Sequence, residues 1–233
     1  MDDHELLIAQ LEPDTLLRAL APEQLDDLLA RSTRRVLKRG ETIIEQGDEN
    51  GDFAVFILSG TVKVSMVSAT GREIILNYSS AGDVLGEIAM LDQGPRTATV
   101  SATERTSVLV IPAQAFQAAA LANPASMMGV MRALASRVRQ LNLVVESDRS
   151  FAMAPRLARA LVRLLDPADP DGRRLRLHPS QSDLGAFAGI ARENVSRLMS
   201  DWEERGIVRR SDRALEILDR DYLDLLAEFG GEE

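Results

Sequence analysis

Between Thr33 and Ile111 the chain is a succession of short β-prone runs cut by glycines, and this pattern constrains the fold more than any other feature. The runs are Arg34 to Leu37, Thr42 to Ile44, Phe53 to Leu58, Val62 to Val67, Glu73 to Tyr78, Thr97 to Ser101 and Ser107 to Ile111. Each is rich in Val, Ile, Phe or Thr, whose branched or aromatic side chains suit a half-buried pleated surface. Ser59-Gly60 and Ala69-Thr70-Gly71-Arg72 read as hairpin turns, with sharp bends at Gly40, Gly47 and Gly82. Many short strands at this spacing predict an antiparallel barrel or roll.

One stretch inside this region reads as chemistry. It is Gly86-Glu87-Ile88-Ala89-Met90-Leu91-Asp92-Gln93-Gly94-Pro95-Arg96-Thr97-Ala98-Thr99-Val100. A helical turn begun at Gly86 would aim free backbone N–H groups outward, and Arg96 would add an always-charged fork of donors, so the pair suits a phosphate. Glu87 is then left to accept hydrogen bonds from hydroxyls. One acceptor beside one phosphate clamp suits a sugar phosphate; a structural Glu87–Arg96 ion pair is the plainer alternative.

The flanks are helical. Residues 3 to 31 group Leu6, Leu7 and Leu11, then Leu16, Leu17 and Leu20, then Leu25, Leu28 and Leu29, at helical spacing. Pro112 reads as a first-turn proline opening a helix through Leu121. The longest regular segment runs from Ala125 to about Met153. Met131, Val138, Val145 and Ala152 recur every seven residues, as do Met127, Leu134 and Leu141, until Asp148 breaks the seam. Leu143 and Val144 supply a second apolar face, so one helix can pack on its own roll and on a second copy of itself.

Pro155 biases Ala154 away from helix, which makes Ala152 to Ala154 the expected hinge. Arg156 to Leu165 follows as an amphipathic helix, then a turn-rich loop and a small strand, Arg174 to Leu177. From Pro179, Leu184, Phe187 and Ala188 give a short helix an apolar face. Gly189 permits a tight turn, and Val195, Leu198 and Trp202 pin a second helix starting near Ala191. This is helix-turn-helix spacing. Gly206 to Val208 and Ala214 to Leu218 flank a polar, basic turn, as a winged hairpin would. Arg192, Glu193 and Arg197 lie on the second helix where they can face major-groove base edges, Arg toward guanine and Glu toward the cytosine amino group. A solvated Glu193–Arg197 pair is the alternative.

The composition narrows the classes. With no cysteine the chain has no thiolate zinc site, disulfide or cysteine-ligated cluster, and His4 and His178 do not make a metal site. A net charge of −9 argues against a generic polyanion binder, yet residues 172 to 213 hold nine arginines against six acids, a local +3. No apolar run approaches the ~20 residues that span a bilayer. An acidic N-terminus, Met-Asp-Asp-His-Glu, is unlike a signal peptide, and the expected location is cytoplasmic.

Gly-Glu-Ile-Ala, a short link and Arg-Thr-Ala-Thr-Val resembles the phosphate-binding cassette of cyclic-nucleotide-binding domains. The two halves together resemble the Crp-Fnr superfamily of bacterial transcription regulators, in its cyclic-nucleotide-binding branch. The resemblance implies an α+β fold with an N-terminal eight-stranded β jelly roll over 1–122, a dimerisation helix and hinge over 123–153, and a C-terminal winged helix-turn-helix over 154–233. It implies that Arg96 pairs with a cyclic phosphate, that Glu87 takes the ribose 2′-hydroxyl, and that Thr97 lies near the base. Val64, Leu76, Gly86, Ile88 and Ala89 complete the expected ligand contacts. Asn142, with Leu141, replaces the Thr-Ser pair that meets adenine in the cyclic-AMP branch, and Thr97 is a residue met in domains that favour cyclic GMP. The allosteric ligand is thus expected to be cyclic AMP or cyclic GMP, with no metal. Ser180, Gln181, Ser182, Arg192, Glu193, Asn194 and Arg197 are the expected DNA contacts, at a palindromic TGTGA-like site. Expected partners are double-stranded DNA, a second copy of the chain and RNA polymerase. No enzyme activity is expected, since a cyclic-nucleotide hydrolase would need a dense His/Asp metal cluster. A cyclic dinucleotide, or no effector at all, is the alternative.

Overall fold

The computed structural model describes residues 11, 15–150, 152–166, 169–175, 177–211 and 215–229, and side chains at these positions except 137, 140–150 and 229. His4 and the helix expected around Leu6 and Leu7 lie outside them. The chain divides into two compact units, Met1–Leu141 and Asn142–Glu233.

The first unit opens with a 3₁₀ turn, Leu16–Ala19, and α1, Pro22–Ala30. Eight strands follow: β1 Thr33–Leu37, β2 Thr42–Ile44, β3 Phe53–Ser59, β4 Thr61–Val67, β5 Glu73–Ser80 and β6 Val84–Leu85, then after α2, Glu87–Asp92, β7 Thr99–Ala102 and β8 Thr106–Pro112. They form two antiparallel four-stranded sheets, ordered β1-β8-β3-β6 and β2-β7-β4-β5. This is the expected roll. The two-residue β6 has no sequence run of its own; it exists because Val84 and Leu85 pair with Phe56 and Val55.

β3 shows why its sequence is apolar almost throughout. Val55 and Ile57 join Val62, Val100 and Ala102 in the core between the sheets, whereas Ala54 and Phe56 join a second core with Leu25, Leu28, Phe116 and Val130. A strand covered on both faces loses the alternation of a half-exposed one. Burying a side chain such as Phe56 contributes about 1.5–3 kcal/mol.

α3, Ala113–Leu121, has the expected bounds, but Pro112 is its N-cap, with φ −65 and ψ 133, and the last residue of β8. α4 spans Pro124–Ser150. Its buried stripe is Ser126 and Val130, with Ala133 and Leu134 packed against the helical core, while Met128, Met131 and Val138 are exposed. The exposed apolar line therefore runs through Met128, Met131, exposed Ala135 and Val138. Met131 and Val138 of the expected seam are exposed. Leu134, of its second row, instead packs half-buried on the chain's own core. Leu141, Leu143, Val144 and Val145 lie outside the described side chains.

The second unit holds α5, Met153–Arg163, which begins before Pro155 because a proline in the first turn has no helical hydrogen bond to forfeit. α6, Gln181–Ala188, and α7, Arg192–Glu204, follow, then β9, Val208–Arg210, β10, Leu215–Ile217, and α8, Arg220–Phe229. β9 and β10 pair antiparallel, as a wing should. The strand expected at Arg174 to Leu177 reduces to isolated bridges, Leu165 with Leu175 and Arg174 with Glu216; Arg176 lies outside the described residues. Val195, Met199 and Trp202 are the buried anchors of α7, and Leu198 is only half-buried. The i, i+4, i+7 row passes through Met199.

Candidate ligand cassette and DNA-reading face

In the first unit, Gly86 precedes α2 in the left-handed region, φ 82. A Cβ there would lie 2.7 Å from Ile44 Cδ1 and 2.8 Å from Arg96 Nη1, so glycine is required by both conformation and space. Gln117 Nε2 donates to the Met90 carbonyl at 2.9 Å and holds α2 in place. Gln93 ends α2 at φ 57, a left-handed cap usually given to glycine. The chain then returns through Gly94 and Pro95 to Arg96.

Arg96 is fixed at both ends. Its backbone N–H donates to Asp48 O and its carbonyl accepts from Gly47 N–H, each at 2.8 Å. Its side chain is buried, with Nη1 donating to Gly86 O at 2.9 Å and Nη2 to Phe53 O at 2.8 Å, and the guanidinium lies 4.5 Å from the Phe53 ring centroid. Burial pushes the Arg96 pKa down, and the charges of Asp52, Asp48 and Glu87 oppose that shift. A guanidinium has five N–H groups. Those used here go to carbonyl oxygens, and no described carboxylate forms an ion pair with it, so the plain structural Glu87–Arg96 bridge is absent. The cassette fits an anion with a hydroxyl neighbour: a desolvated cation with donors in reserve, and a buried carboxylate, Glu87, beside it.

The other expected ligand residues fall in different settings. Thr97 is exposed directly after Arg96, and Ile88 is exposed on α2. Ala89 is buried, so its side chain faces packing. Val64 is half-buried and packs against the core between the sheets. Leu76 is exposed at a bulge, where Val64 pairs with Asn77 and Ser65 with Ile75. The side chain of Asn142 lies outside the described ones.

In the second unit, Ser180 caps α6: its Oγ accepts from Asp183 N–H at 3.1 Å, and Asp183 Oδ2 accepts from Ser180 N–H at 3.2 Å. Ser180 is therefore a helix cap as much as a candidate contact. Gly189 ends α6 at φ 67, and Ala191 caps α7. Gln181, Arg192, Glu193 and Arg197 line one open groove of about 710 Å³. Ser182 is exposed and Asn194 half-buried outside that lining. Ser196, Ser200, Asp201 and Glu204 also line it. Sequence reasoning missed these four, although 196 and 200 stand one turn beyond Arg192 and Ser196 on the same helical face.

Among the described residues no ion pair joins Glu193 to Arg197. The neighbouring arginines are occupied: Arg205 with Asp201 at 3.2 Å, Arg209 with Glu216 at 3.2 Å and Arg210 with Glu203 at 2.5 Å. Asp201 and Glu203 are already among the six acids behind the local +3, so these pairs show which arginines are engaged and leave that net count as it is; only Glu216 lies outside the counted span. What remains outward on α7 is Arg192 and Arg197.

A β roll with this cassette and a separate winged helix-turn-helix unit define a DNA-binding regulator with a cyclic-nucleotide-type domain. Residues 34–123 match the cyclic nucleotide-binding domain, and residues 155–226 the Crp-like helix-turn-helix domain. The chain is 30% identical over 212 residues to the cyclic AMP receptor protein of Thermus thermophilus, covering 91% of this chain and 96% of that one. It is 29% identical over 189 residues to the CRP-like cAMP-activated global transcriptional regulator of Mycobacterium tuberculosis, covering 79% and 84%. FixK2 from Bradyrhizobium japonicum shares the fold, with a TM-score of 0.73 at 22% identity over 86% of this chain and 99% of that one. The chain belongs to the Crp-Fnr family of transcription regulators. Among the described residues no acidic or histidine cluster could hold a metal, and no helix is long and apolar enough to cross a membrane.

Proposed function

We propose that this chain is a homodimeric transcription regulator that takes a cyclic purine nucleotide in its β roll and, when liganded, binds a palindromic TGTGA-like site. The observation that carries the reading is the buried Arg96, held by carbonyls beside Gly86 with Glu87 next to it. Arg96 would hold the cyclic phosphate and Glu87 the ribose hydroxyl. Thr97, exposed at the same place, would meet the base. The names of the relatives from Thermus thermophilus and Mycobacterium tuberculosis support cyclic AMP as effector. Thr97 favours cyclic GMP as a rival, while Asn142, in place of the Thr-Ser pair, could meet either purine edge. Cyclic AMP is taken as slightly preferred, with discrimination of tenfold or so, because one neutral hydrogen bond contributes only about 0.5–1.5 kcal/mol.

On DNA, Arg192 and Arg197 would read guanines and Glu193 a cytosine on the complementary strand. The apolar line of Met128, Met131 and Val138 supports pairing of two chains through α4, which would place two reading helices about one helical turn apart. RNA polymerase would be met by this DNA-bound dimer. Calorimetric titration with a panel of cyclic mono- and dinucleotides tests the ligand: micromolar or tighter binding of cyclic AMP or cyclic GMP is expected. Binding of a cyclic dinucleotide alone, or of none, replaces this reading with the alternative effector or with a constitutive regulator.

A further inference from the structure

α5 carries three arginines, Arg156, Arg159 and Arg163, at i, i+3 and i+7, on one helical face. All three reach neighbouring elements of the second unit. Arg159 Nε donates to the Ala227 carbonyl of α8 at 2.5 Å, and Arg163 lies 4.6 Å from the ring centroid of Phe187 on α6. Arg156 reaches the end of α6, where Nε donates to Ala188 O at 3.0 Å and Nη2 to Gly189 O at 2.8 Å. Those carbonyls stand at a helix C-terminus, where backbone acceptors lack intrahelical partners and a cation is favoured. A Cβ at position 189 would collide with Arg156 Nη2. A side chain at 189 is thus disfavoured by the left-handed φ, and would have to displace the guanidinium that occupies the space.

We infer that Arg156 is a positioning residue for DNA reading: by gripping the last carbonyls of α6 it sets the pose of the first turn of α7. The inference rests on the DNA-binding reading given above. Only Gly189, Ile190 and Ala191 separate the end of α6 from Arg192, and Ile190 N–H is tied back to Gly185 O at 3.0 Å. A shift at the gripped carbonyls therefore passes into Arg192 and Glu193 with little slack. Arg156 also closes the first turn of α5, its N–H reaching Ala152 O at 3.4 Å, just after the break that follows α4. One residue joins the turn after the break to the turn before the recognition helix.

The test uses the full chain in saturating cyclic AMP and a duplex with two inverted TGTGA half-sites, its single-base variants and an unrelated duplex, by fluorescence anisotropy well below the melting temperature. Arg156→Ala is expected to lower the ratio of specific to non-specific affinity about tenfold while cyclic-AMP affinity and far-ultraviolet circular dichroism stay unchanged. Arg156→Lys, which keeps the charge but offers no planar fork, is expected to recover part of that ratio. Arg156→Ala and Arg156→Lys proteins that melt at lower temperature yet keep the wild-type ratio would show a purely structural clamp and overturn the inference. A wild-type protein that binds neither duplex would instead overturn the DNA-binding reading, and the inference with it.

Discussion

Arg210 at the end of β9 and Glu203 near the end of α7 are joined three times: Arg210 Nε and Nη2 donate to Glu203 Oε2 at 2.9 and 2.5 Å, and the Arg210 backbone N–H donates to Oε1 at 3.1 Å. The wing is thereby attached to α7, the helix proposed to read DNA.

Those hydrogen bonds from Arg210, side chain first and backbone second, hold the Glu203 pKa below its ordinary value. A lowered folded-state pKa contributes stability that is present above the unfolded carboxylate pKa and is lost as pH falls through the folded one. Glu203→Gln should therefore melt earlier than wild type at neutral pH, with the gap closing in acid below the ordinary glutamate range. A gap that is constant with pH would separate the wing's stability from this carboxylate.

Replacing Arg96 by Ala removes the charged partner proposed for a phosphate and should cost about 2–5 kcal/mol of nucleotide affinity. Glu87→Ala should likewise abolish tight binding. Calorimetry on both variants, with circular dichroism to confirm folding, decides the assignment; wild-type affinity in both sinks it.

Thr97 is exposed beside Arg96. Thr97→Ala should weaken cyclic GMP by up to about 0.5–1.5 kcal/mol and leave cyclic AMP nearly unchanged. The competition titration that measures this also measures the wild-type preference. A hundredfold or greater preference for cyclic AMP contradicts the account of the base.

Glu193 faces the open groove without an ion-pair partner among the described residues. Glu193→Ala should relax base preference at one position in each half-site, read by binding to a set of single-base variants. A uniform loss over all sequences would mean that Glu193 acts on backbone positioning.

Met131 and Val138 are exposed on α4. Replacing both by Glu should put like charges at the proposed contact of two chains and yield a monomer in sedimentation velocity. A dimer that persists at micromolar concentration would place the contact elsewhere.

The roll and the helix-turn-helix were legible because both are written in local patterns: β-branched runs ended by glycine, and apolar anchors on either side of Gly189. What the pattern could not carry was anything set by tertiary contact. Val84-Leu85 is too short to announce a strand and becomes one through β3. Leu134 has the heptad spacing of an interface residue, and only the presence of the helical core shows where it packs. In the cassette, Gly86, Glu87 and Arg96 were legible as a set, but the second carbonyl of the seat, Phe53 O, and the Phe53 ring against Arg96 come from a strand some forty residues earlier, about which the motif says nothing. The charge count gave the local balance but not its placement, since the acids that occupy Arg205, Arg209 and Arg210 are chosen by geometry.

Trp202, fully buried in α7, is the sole tryptophan of the chain. Indole emission therefore originates wholly in the second unit and none of it in the β roll. The winged unit has a built-in optical reporter: its unfolding will shift the emission to the red as the ring meets water, while unfolding of the roll exposes no indole of its own. A titration with nucleotide that changes this emission would register, without any label, that a ligand placed near Arg96 has altered the surroundings of a residue two turns beyond Val195.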